Sequence, residues 1–104
     1  MQTRNTLEII LKNPIGYDEI TNLKSQIMIA ENYCFLLIDT GKHDFVSISI
    51  IKYFREQMQN LEPHLLKFEK IALIHPPEYR NESSNLELYD YFTSIVDAKK
   101  WFLE

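Results

Sequence analysis

One cysteine, Cys34, stands in 104 residues, so neither an internal disulfide nor a cysteine metal cluster can form. It opens an apolar run, which makes a buried, unreactive thiol the expectation. Glycine is scarce, with two residues in the chain. The loop around Gly41 lacks the further glycines that cradle a phosphate, so a nucleotide site is not expected. No run approaches the roughly 18 apolar residues of a membrane span, and the first ten residues, MQTRNTLEII, carry no signal-peptide pattern. A cytoplasmic protein without a membrane span is expected. Basic clusters are missing too: the eleven Lys and Arg are scattered and the net charge is −4, which argues against a nucleic-acid partner. No hydrolase elbow or named metal signature is present, so neither catalysis nor a cofactor is expected.

What is there reads as an ordinary globular chain. Hydrophobic residues make up 45% and charged residues 25%, and the length suits one domain over residues 1–104. The stretch Tyr33–Ile51, YCFLLIDTGKHDFVSISII, organises it. An apolar run from Cys34 to Ile38 has the length and composition of a strand buried on both faces. It stops at Asp39, a polar loop with Gly41 follows, and an amphipathic helix begins around Ser47. Strand, loop and helix in that order point to an α/β sheet, whose strand carboxyl ends are the usual place for ligands and partners.

The rest of the chain fits around this unit. Leu7, Ile9 and Leu11 alternate with polar residues, apart from Ile10, and predict a half-buried first strand over Thr6–Lys12. Asn13-Pro14-Ile15-Gly16 is a turn. Ile20, Leu23, Ile27 and Ala30 then recur at helical spacing, with Asp18 and Glu19 suited to a first turn. After the loop, Ile50, Ile51, Phe54, Met58, Leu61 and Leu65 form a second helical stripe, capped by Asp44 or Ser47. Pro63 should end or kink this helix after Asn60, and a second short helix to Phe68 can open at Pro63. Lys70 to His75 reads as another interior strand, parallel to the first apolar run. Pro76 to Asn85 is loop-like, and Leu86 to Phe92 alternates as an exposed edge strand with Tyr89 and Tyr91 opposite its core face. Ser94 with Asp97 resembles a capping box for a last helix bearing Ala98, Trp101 and Phe102. The expected fold is a small α/β sandwich: a mostly parallel or mixed sheet of about four strands, helices packed on it, the first strand pairing either way.

That order, with KIALIHP and the closing FTSIVDAKKWF, resembles the STAS domain, the sulfate transporter and anti-sigma-factor antagonist family, especially its bacterial stand-alone members. Residues 6 to 104 take part. Asp39 matches the family's strand-ending Asp, and Phe45-Val46 the apolar pair before its helix. The run Phe92 to Phe102 is similar to the family's closing Phe–small–x–x–x–acidic–Ala–x–x–Trp–Leu pattern. The phosphoserine motif is not preserved. The family's modified serine falls on Ile48, its following glycine on Ile50, and its Asp on Ser47. A one-residue slip would bring Ser47 or Ser49 into place. The resemblance implies a regulatory domain that meets a protein partner through the strand-end loop and helix start.

On that surface, Asp39, Lys42, His43, Asp44, Ser47 and Ser49 are the candidate partner-binding residues. Ser47 and Ser49 suit helix capping, with phosphorylation as the sharper reading. The alternative is a small-ligand or lipid carrier with an apolar groove beside the Ile50–Met58 helix. A lesser one is a small enzyme centred on Asp39, His43 and His75, within a polar cluster that also includes Asp44, since histidines beside carboxylates can act as bases or hold a divalent metal. Tyr79, Tyr89 and Tyr91 with Trp101 and Phe102 suit packing, or a partner or self-association surface, with pairing through the edge strand as one route to a homodimer.

Overall fold

The structure, a computed structural model, describes residues 5–74 and 89–104. In chain order the elements are β1 (Thr6–Ile10), α1 (Tyr17–Ile29), β2 (Phe35–Asp39), α2 (Ile48–Asn60), α3 (Glu62–Leu65), β3 (Lys70–Ile74), β4 (Tyr89–Phe92) and α4 (Ile95–Phe102). The strands form one sheet in the order β1-β2-β3-β4, and every neighbouring pair is parallel. The first strand, which the sequence left free to pair either way, is therefore parallel to β2. Two helical crossovers step across the sheet in the same direction, and the handedness of such connections places α1 and α2 on the same face.

The apolar runs explain the two cores. Side chains alternate across a strand, so Leu36, Ile38, Ile71 and Leu73 look one way and meet Ile20, Leu23 and Ile27 of α1 with Ile50 and Met58 of α2. Phe35, Leu37, Ala72 and Ile74 look the other way and meet Ala98 and Phe102 of α4. The Phe102 ring stacks on Phe35, with centroids 4.7 Å apart and planes within 5°. Since α4 follows the last strand, it bridges no described pair of strands and folds back over the face that the crossovers leave open. A strand buried on both sides needs both layers, which is why β2 reads as a continuous apolar run.

Helix ends follow the local chemistry. Ser47 caps α2, its hydroxyl accepting from the Ile50 N–H at 3.3 Å, and Ser94 caps α4 by accepting from the Asp97 N–H at 3.1 Å. Pro63 lies in the first turn of α3, as its missing N–H favours. α1 has no basic residue in its last turn. Instead Lys67 reaches over and donates to the Ile27 and Ala30 carbonyls, at 2.6 and 2.7 Å. Lys70 does the same for α4, donating to the Trp101 and Glu104 carbonyls at 2.6 and 3.1 Å. Each ammonium supplies the positive charge that a helix carboxyl end favours.

One expectation changes. Tyr91 does not sit opposite the core: it is half-buried and packs against the cluster shared by α1 and α2. Phe92, from the other face of β4, packs with Trp101 beneath α4. The edge strand thus contributes to both cores and not to one. The expected start of that strand at Leu86, the loop Pro76–Asn85, Tyr79 and His75 lie outside the described residues. No described helix is long and apolar enough to cross a membrane.

Candidate functional site: the strand-end ridge

Beyond the carboxyl ends of β1 and β2 the two loops close on each other. After β1, the Leu11 N–H donates to the Asp39 carbonyl at 2.9 Å. Ile15 then pairs with Phe45 in an isolated parallel bridge. The Ile15 N–H donates to the Asp44 carbonyl at 2.7 Å, and the Val46 N–H to the Ile15 carbonyl at 2.9 Å. Residues 11–16 and 39–46 therefore behave as one ridge rather than two loops.

Asn13 holds the ridge together. Its Nδ2 donates to the Leu11 carbonyl at 3.2 Å and the Thr40 carbonyl at 3.0 Å, and its Oδ1 accepts from the Asp44 N–H at 2.8 Å. Gly41 lies directly against it. With φ at 63° and an added Cβ falling 2.6 Å from Asn13 Nδ2, this position takes glycine for both backbone and space. The Asn13–Pro14 peptide is cis.

Thr40 is the one buried polar side chain among the described residues. Its hydroxyl donates to the Ile74 carbonyl at 2.6 Å, joining the ridge to β3. His43 Nδ1 lies 3.1 Å from the same oxygen. With the hydroxyl proton directed at Ile74, the arrangement makes Nδ1 the donor and Thr40 Oγ1 the acceptor. The His43 ring meets Phe45 edge-on at 4.9 Å, and Phe45 in turn packs on Phe54 of α2 at 5.6 Å.

Of the residues singled out from sequence, Asp39 closes a turn, its Oδ1 accepting from the Gly41 N–H at 2.8 Å. Lys42 and Asp44 are exposed on the ridge. Ser47 is the α2 cap, and Ser49 is exposed in the first turn. All six candidate partner-binding residues therefore fall within one continuous segment, 39–49. Of the expected enzyme centre, Asp39 and His43 belong to the ridge, as does Asp44 of the same polar cluster, and His75 lies outside the described residues. No group of three or more His, Cys, Asp or Glu among the described residues could hold a metal. Ile50 and Met58 of α2, the helix beside which a carrier groove was the alternative, are buried in the core. Cys34 is half-buried at the foot of β2.

The sequence reading missed the residues that define this surface. Val46 is 62% exposed, Ile48 73% and Tyr17 58%. Val46 also lies close to Gly16, where an added Cβ would stand 3.5 Å from its Cγ2. Tyr17 leans on Tyr53 of α2, with ring centroids 4.6 Å apart. Apolar residues are thus displayed at the helix start, beside Lys42 and Asp44, on a hydrogen-bonded support. Comparison with known proteins returns no matching family model, curated protein or solved structure.

Proposed function

We propose that this chain is a non-catalytic, STAS-like regulatory domain that binds a protein partner through the segment Asp39–Ser49. The supporting observation is the exposure of Val46 and Ile48 on a ridge fixed by Asn13. Exposed apolar side chains on a rigid support make an interface core at little ordering cost, and flanking charges supply a polar rim. Lys42 and Asp44 provide those charges, with Ser47 and Ser49 beside them. In the STAS resemblance the modified serine falls on Ile48. An exposed isoleucine there suits contact that needs no phosphate to be added or removed.

The test is isolation of the partner from the native host on the immobilised full chain, followed by titration with the purified partner. Lys42→Glu and Asp44→Lys should each weaken binding about three- to tenfold, with unfolding midpoints unchanged, as expected for rim charges. A partner that binds both variants as tightly as the unaltered chain would place the interface elsewhere.

A further inference from the structure

β1 is one edge of the sheet, and its backbone shows which groups face outward. The Asn5 carbonyl accepts from Cys34 and Phe35, and the Leu11 N–H donates to Asp39, so the odd-numbered residues turn their polar groups towards β2. Alternation therefore sends the N–H and C=O groups of Thr6, Glu8 and Ile10 to the outer edge. The same three side chains lie on the α4 face of the sheet. There α4 packs over β2, β3 and β4, and its Lys99 reaches Glu8 on β1, at 2.7 Å. Ile10 stays 67% exposed, and Lys12 follows two residues later, also exposed.

We propose that this edge is a self-association surface: two copies pair antiparallel through β1 about a twofold axis at Ile10. Antiparallel pairing about that axis sets residue 8 of each copy opposite residue 12 of the other. The sequence Glu8-Ile9-Ile10-Leu11-Lys12 then matches itself. Ile10 meets Ile10 at the axis, and a carboxylate faces an ammonium on each side. With the axis at Glu8, two carboxylates would oppose each other, and with the axis at Lys12, two ammonium groups would. An axis at Ile9 sets each carboxylate against an isoleucine. Charge thus selects the register, and the outward N–H and C=O groups of Glu8 and Ile10 supply the ladder. The result is an isologous dimer with one continuous sheet. The Glu8 side chain remains 41% exposed in its pair with Lys99, which leaves room for a second cation. The surface uses neither Val46 nor Ile48, so it stands or falls separately from the partner site.

Sedimentation of the full chain over a range of concentrations tests this. The unaltered chain should form dimers that dissociate on dilution and weaken with added salt. Glu8→Lys and Lys12→Glu should each lower self-association by about tenfold or more, because two attractive cross-strand pairs become repulsive. An equimolar mixture of the two variants should dimerise again, since every lysine of one copy then faces a glutamate of the other. Circular dichroism checks that each variant is folded. A chain that stays monomeric up to its solubility limit, single variants that dimerise as before, or a mixture that stays monomeric would overturn the proposal.

Discussion

Asn13 makes three hydrogen bonds with one side chain, to Leu11, Thr40 and Asp44, and each would otherwise be left to solvent or to a loosened loop. Asn13→Ala should therefore destabilise the fold by about 2 kcal/mol, two net hydrogen bonds' worth after partial rehydration, as read by urea unfolding. It should also speed amide exchange at Asp44 while leaving the sheet amides protected. The Asn-Pro pair marked a turn in the sequence, but nothing local showed that its side chain spans to residues 27 and 31 positions away. That information is tertiary. Thr40 was hidden for the same reason: a threonine after a strand-ending Asp is unremarkable until the Ile74 carbonyl appears beside it. Ile48 was legible in principle. It lies two residues before Ile50, about 200° around the helix, and so must face away from the core that Ile50 enters.

At the scale of elements, most boundaries followed from period and punctuation. The apolar runs gave β2 and β3, the helical spacing gave α1 and α2, and Pro63 marks the break between α2 and α3, although α3 ends at Leu65 and not at Phe68. β4 was read less well. Its alternation suggested one wet face, whereas Tyr91 and Phe92 enter opposite cores. An edge strand between two helical layers needs apolar residues on both faces, and aromatic tyrosine serves there as readily as on a surface. The two serines at the start of α2 separate capping from display. Ser47→Ala removes the acceptor for the Ile50 N–H and should cost about 1 kcal/mol. Ser49→Ala, exposed within the first turn, should change stability by less than about 0.5 kcal/mol. Thermal or urea unfolding of the two variants side by side checks the contrast.

Over the whole molecule, a parallel sheet with strands in sequential order sends its crossover helices to one face and leaves the other to α4. That arrangement has two consequences. The carboxyl ends of β1 and β2 emerge side by side, so their loops can be bonded into a single ridge that carries Val46 and Ile48. The eight-residue α4 packs over β2, β3 and β4 and meets β1 through the Lys99–Glu8 pair, and Ile10 stays exposed. The α/β class and the parallel pairing of β2 with β3 were legible from the sequence. The exposure of Val46 was not, because burial outside a periodic element depends on which neighbours the topology supplies.

The most direct measurement is the affinity of the purified partner for the double variant Val46→Asp/Ile48→Asp, beside the unaltered chain, by calorimetric titration. Both side chains are largely solvent-exposed, so the unfolding midpoint should move little. Placing two carboxylates in an apolar interface core should weaken binding at least about a hundredfold. Equal affinity for the folded double variant and the unaltered chain would contradict the account, because the strand-end ridge would then not be the binding surface.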